Sequence, residues 1–132
     1  ECHELLKSAD MIKKVKFTGF VPYEDLPKYY ADADVVVVAS EIYESFSYTV
    51  AQAMACNKPV IASNIGGIPE TLDSGRLGLL FEPGNIDSLF EKLRDVYDNQ
   101  VRDISKDARE YAVNNFSFEK LGAIYNDYYM CQ

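Results

Sequence analysis

The sequence has no tryptophan, one histidine, three cysteines, five prolines and seven glycines. Cys2, Cys56 and Cys131 are an odd number without Cys-x-x-Cys spacing, and His3 is the only histidine, so neither a disulfide framework nor a zinc site is supported. That cysteine usage points to a reducing, cytoplasmic compartment. Scarce glycine and proline exclude collagen-like and low-complexity readings. No apolar run approaches the roughly 20 residues needed to span a bilayer, and no segment resembles a signal peptide. Positive charge is also short: 13 Lys and Arg face 21 Asp and Glu, a net charge of −8. Nucleic-acid binding needs a basic face to displace counterions, so a DNA or RNA role is excluded.

What remains is the composition of one globular domain, 48% apolar and 26% charged over 132 residues. Short β-branched runs alternate with longer helical patterns, the mark of an α/β domain with a parallel sheet. Leu5, Leu6, Ala9 and Ile12 fit one face of a first helix, and Val15–Thr18 reads as a strand turning at Gly19. A short helix from Glu24 to about Ala31 holds Pro27 in its first turn and turns Leu26 and Tyr29 or Tyr30 inward. Val35–Ala39 is uninterrupted apolar sequence, expected to be a central strand buried on both faces. A polar loop, Ser40–Phe46, leads to a helix from about Ser47 to Cys56, with Asn57 as its left-handed cap. Strands follow at Pro59–Ala62 and Leu79–Phe81, separated by a short helix opened by Pro69. Apolar spacing then predicts helices beginning near Ile86, with Asp87 as N-cap, and near Val101. A last helix runs from about Phe118 to Tyr129 behind Ser117, with Leu121, Ile124, Tyr125 and Tyr128 on one packing face.

In open α/β sheets, ligands bind beyond the carboxyl ends of strands, which selects the loops Gly19–Tyr23, Ser40–Thr49 and Ser63–Glu70. The middle loop supplies Glu44 and then a helix start whose free amides fall near Ser47, Tyr48 and Thr49. Such an end binds an anion locally even in an acidic domain. Gln52 stands roughly 5–8 Å further along the helix axis at 1.5 Å per residue, a spacing that suits a ribose beyond a diphosphate.

Five segments, in order, resemble the retaining glycosyltransferases of the GT-B fold, family 4, also called group 1. That family's pattern is Pro-Ser, Glu, seven residues, Glu, Ala-Met-Ala and Gly-x-Pro-Val. It is similar to Ala39-Ser40, Glu44, Gln52, Ala53-Met54-Ala55 and Asn57-Lys58-Pro59-Val60. Gly66-Gly67-Ile68-Pro69-Glu70 matches its Gly-Gly-x-Pro-Glu, and Phe17–Val21 and Gly78–Asn85 resemble flanking strands and turns. The resemblance implies a Rossmann-like, doubly wound parallel sheet, the C-terminal donor-binding domain over 1–132. It implies a hexosyltransferase using a UDP- or GDP-sugar, with no cofactor and no metal. Glu44 would lie beside the transferred sugar as the catalytic carboxylate. Phe46, Ser47, Tyr48 and Thr49 would contact sugar and diphosphate through their amides, Val21 and Tyr23 the base, and Gln52 the ribose.

Gln52 replaces the family's second Glu, exchanging a charge-assisted hydrogen bond for a neutral one of roughly half the strength. Ala39, Ser47 and Asn57 stand where the family has Pro, Gly and Gly. Family members also carry an N-terminal acceptor domain and two earlier strands bearing an Arg and a Lys for the diphosphate. Position 1 is Glu and the chain opens at what resembles the helix after those strands, so a fragment without transferase turnover is expected. In the order 3-2-1-4-5-6, Val15–Thr18 then lacks its usual neighbours and is expected to pair abnormally, with another chain. The resemblance implies a sugar or lipid-linked acceptor held by the missing domain, surface-polysaccharide or glycolipid synthesis, and room for peripheral membrane association of the full enzyme; the fragment is open to self-association. The alternative is a non-catalytic α/β interaction module with a degenerate donor site. Gly66 and Gly67 read equally as a plain turn or as a cleft-facing loop.

Overall fold

The computed structural model describes residues 12–98 and 102–130. Three parallel strands, β1 (Val36–Val38), β2 (Val60–Ser63) and β3 (Leu79–Phe81), form a sheet in the order β1-β2-β3. Val36 lies opposite Val60, and Ile61 opposite Leu79. Helix α1 (Leu26–Asp32) precedes β1, α2 (Tyr48–Ala55) joins β1 to β2, and α3 (Ile68–Thr71) joins β2 to β3. The helices α4 (Ile86–Tyr97), α5 (Arg102–Phe116) and α6 (Phe118–Met130) follow. Parallel pairing with crossover helices is the α/β architecture that the alternating pattern predicts.

Two expectations about the sheet are corrected. Val15–Thr18 is not a strand; it lies outside the sheet, with Val15 and Phe17 exposed. β-Structure is defined by ladder pairing, and this segment joins neither ladder of the three-stranded sheet. The valine run is not central either: β1 is an edge of the described sheet, and Val37 is 40% exposed. β2 is the central strand, with all four of its residues buried. Of the expected first helix, only Ile12 falls within the described residues, in a 3₁₀ turn over Ile12–Lys14.

Local chemistry fixes the element ends. The segment Tyr23–Asp25 is a 3₁₀ turn running into α1, and Pro27 stands in the first helical turn, where a missing N–H costs nothing. Helix α2 closes in a Schellman arrangement: Lys58 N donates to Ala53 O at 3.0 Å, and Asn57 N to Met54 O at 2.9 Å. Asn57 takes the left-handed conformation this requires, φ 59°. At α4 the cap is Asn85 rather than Asp87, its side chain accepting from Ser88 N at 3.0 Å. The amide end of Asn85 also donates to Glu82, 2.8 Å away, which holds the cap in place. Asn85→Ala is expected to destabilise the fold by about 1 kcal/mol, read as a lower urea midpoint at unchanged slope. Ser117 caps α6 as expected, accepting from Lys120 N at 3.3 Å.

The core lies between β2 and the helices on it. Val50, Ala53 and Met54 of α2, Val60 and Ala62 of β2, Ile68, Leu72 and Leu77, and Ala108 and Ala112 of α5 form one buried cluster. The alanines let α5 approach α2 closely, and Arg109 Nη1 donates to Ala55 O at 2.6 Å across the contact. The expected packing face of α6 is instead open: Leu121, Ile124 and Tyr125 are exposed, and Tyr125 stacks on Tyr129. Tyr128's side chain lies outside the described residues.

Candidate functional site

The loop between β1 and α2 is held by a neighbouring loop at a distance only glycine permits. Gly67 N donates to Glu44 O at 2.6 Å. A Cβ on Gly67 would overlap the carbonyl of Ser45, within 2.7 Å of its carbon, and one on Gly66 would come within 2.9 Å of Glu44 N. Gly66 also has φ +59°, the left-handed region. The pair is therefore more than a turn. It is the seat on which the Glu44-Ser45 backbone rests, and it fixes where α2 begins.

Ser47 is the N-cap of α2 in extended conformation, buried, with no side-chain hydrogen bond to the helix end. The first amides of the helix, from Tyr48 onward, are left without a side-chain cap, the arrangement that attracts an anion. Half-buried Glu44 is attached to the fold through its backbone, and its carboxylate makes no hydrogen bond or ion pair among the described residues.

Beside the helix start lies a cavity of about 530 Å³, within the size range of small-ligand sites. Of the residues singled out from sequence, Tyr23, Phe46, Tyr48 and Gln52 line it. Glu44, Ser47, Thr49 and Val21 do not; Thr49 is exposed and Val21 half-buried. The opposite wall comes from α5 and α6, with Phe116, Phe118 and Leu121. Edge-to-face contacts join Phe46 to Tyr48 and to Phe116, each with centroids 5.2 Å apart, and Phe116 to Tyr111 at 5.7 Å. Sequence reasoning missed this wall. The only available signal was the aromatic pair flanking Ser117.

It also missed Tyr30. The sequence left open whether Tyr29 or Tyr30 turns inward; the structure turns Tyr30, whose hydroxyl donates to Gln52 Oε1 at 3.0 Å. Burial pushes the Tyr30 hydroxyl above its ordinary pKa of 10.0, with Cys56 and Tyr23 adding to the shift, so it keeps its proton across the neutral range.

Residues 1–115 match the family model for glycosyl transferases, group 1. The chain belongs to this family. It is 34% identical over 106 residues to O-antigen chain mannosyltransferase B of Escherichia coli, covering 80% of this chain and 27% of that protein. The structure of Anabaena HepE in complex with UDP superposes with a TM-score of 0.89 at 27% identity, covering 99% of this chain and 36% of that one. Its complex with UDP-glucose gives 0.79 at 30% identity, over 88% and 32%. This group 1 chain thus spans about a third or less of the length of the relatives it matches. Its fold is that of the C-terminal domain of GT-B glycosyltransferases. Among the described residues, no helix is long and apolar enough to cross a membrane.

Proposed function

We propose that this chain is the donor-binding domain of a glycosyltransferase that takes a UDP- or GDP-sugar and transfers its hexosyl group, with retention, to a sugar or lipid-linked acceptor held by a further domain. The observation that carries the reading is the uncapped start of α2 opening beside a cavity shared by Tyr23, Phe46, Tyr48 and Gln52. A structural neighbour that binds UDP and UDP-glucose supports it. The diphosphate sits on the amides of Phe46 to Thr49 at the start of α2, which stabilise the leaving nucleotide as its negative charge grows. Glu44 faces the transferred sugar, accepts from its hydroxyls and opposes the positive charge developing at C1. Val21 and Tyr23 meet the base and Gln52 the ribose. No metal or cofactor enters this reading. The exposed outer edge of β1, where Val37 lies, is the side on which the doubly wound order expects the strands carrying the diphosphate cations.

The test is an NMR titration with UDP, GDP, ADP and their hexose derivatives. Shifts clustered at the amides of Val21, Phe46, Ser47, Thr49 and Gln52 for one nucleotide are the expected result. If no nucleotide moves those amides at millimolar concentration, in this chain or in the intact enzyme, the interaction-module reading takes its place.

A further inference from the structure

The structure gives the hydrogen bond that Gln52 offers a definite polarity. A glutamine amide has one end that accepts and one that donates, and the two are exchanged by a half-turn about the last side-chain torsion. Here the Oε1 end is taken by the Tyr30 hydroxyl at 3.0 Å. Among the described residues Nε2 has no hydrogen-bond partner, while Gln52 lines both the 530 Å³ cavity and a smaller one of about 130 Å³ that also contains Tyr30 and Cys56. Tyr30 lines only the smaller of the two. Gln52 thus stands, with Tyr23 and Ala55, between the two cavities, tethered by its oxygen on the Tyr30 side.

The tether is anchored at more than one point. Lys58 Nζ donates to Ala31 O at 2.7 Å, tying the end of α1 to the turn that closes α2. Tyr30 is one residue from that tie and Gln52 lies in the last two turns of α2 before it, so the two side chains meet between helices that are fastened together. The Tyr30 hydroxyl stays protonated at neutral pH for the reason given above and so has a proton to donate to Gln52 Oε1.

We propose that Tyr30 is a positioning residue of the donor site: by holding Gln52 Oε1 it leaves Nε2 to donate to a ribose hydroxyl oxygen. The bond to the ribose then runs opposite to the one a carboxylate at this position accepts. The inference rests on the donor-site reading, and its consequence is specific. A donor from the protein needs only a lone pair on the ribose oxygen, whereas a carboxylate needs the hydroxyl proton. A methyl ether retains the lone pairs and lacks the proton.

Binding constants for UDP, 2′-O-methyl-UDP, 3′-O-methyl-UDP and inorganic pyrophosphate, with the guanosine set in parallel, are measured on the intact enzyme and its Tyr30→Phe and Gln52→Glu variants. Gln and Glu have the same shape, so the steric cost of the methyl group cancels between them. The expected result is a methyl-ether penalty about five-fold larger in Gln52→Glu than in wild type at one of the two hydroxyls, the worth of one hydrogen bond. In Tyr30→Phe the amide is free to turn over, so the same penalty rises part of the way and UDP affinity falls about three-fold. Pyrophosphate affinity, which does not involve the ribose, stays within about two-fold in all three and shows that the site is intact. Equal methyl-ether penalties in all three proteins overturn the inference and leave the donor site standing, as does a Tyr30→Phe loss shared equally by pyrophosphate. Failure of the wild type to bind either nucleotide overturns both.

Discussion

Gly67→Ala is expected to lower the stability of the domain by about 3 kcal/mol, a fall in Tm of roughly 10 °C, because the new methyl group meets backbone rather than a movable side chain. The conformation at Gly67 is not the cause, since its φ of −85° suits any residue. The cause is the space: the Cβ would overlap the Ser45 carbonyl, and relieving that overlap breaks the Gly67 N to Glu44 O hydrogen bond. The loop bearing Glu44 must then move away from its seat, and the start of α2 moves with it. Nucleotide affinity is expected to fall by about ten-fold, since a misplaced anion site loses more than one hydrogen bond. Gly122→Ala is the matching control. Gly122 lies in α6 with nothing within 4 Å of a new Cβ, so the change is expected to stabilise slightly, by about 0.5 kcal/mol from helix propensity. A Gly67→Ala protein that melts within 2 °C of wild type, measured by circular dichroism, would refute the seating role.

Glu44→Ala is expected to act on turnover instead. In the intact enzyme kcat for transfer should drop by about 100-fold or more, which corresponds to about 2.7 kcal/mol of transition-state stabilisation. Affinity for free UDP should remain within about two-fold, whereas affinity for the UDP-sugar weakens, because in the proposed reading the carboxylate addresses the sugar and not the nucleotide. The structure makes this a clean substitution. Glu44 holds the loop through its backbone oxygen, which alanine retains, and its carboxylate has no hydrogen bond or ion pair among the described residues to lose. Stability should therefore stay within about 0.5 kcal/mol of wild type. Steady-state kinetics alongside thermal melts separate the outcomes. An unchanged kcat removes Glu44 from the chemistry, and a large fall in Tm shows a structural role that the geometry does not predict.

Nearly every helix and strand was legible because each is governed by residues within a few positions of one another. The all-buried run Val60–Ser63, the helix Tyr48–Ala55 with its alanines, and the left-handed Asn57 all follow from local pattern and cap chemistry. Asp87 failed as a cap for an equally local reason: Asn85 starts the helix two residues earlier, pinned by Glu82. The valine run of β1 was read as central because four successive valines satisfy burial on two faces. Burial of an apolar run is a demand of the sequence, but its place in the sheet depends on which strands are present to pair with it.

The site divides along the same line. Composition offered no basic excess and no membrane-length apolar run, and the motif order from Phe17 to Asn85 pointed to the family and singled out the start of α2 and Glu44 as candidates, since these reside in sequence spacing alone. What the tertiary structure decided was every relation between distant segments. The two glycines at positions 66 and 67 became a seat for Glu44 only when two loops some twenty residues apart came into backbone contact. Gln52 acquired a direction only from Tyr30, twenty-two residues away. The cavity gained its second wall from Phe116, Phe118 and Leu121. Helix and strand periodicity specify which face of an element is apolar, and packing of those faces alone brings remote polar groups within hydrogen-bonding distance.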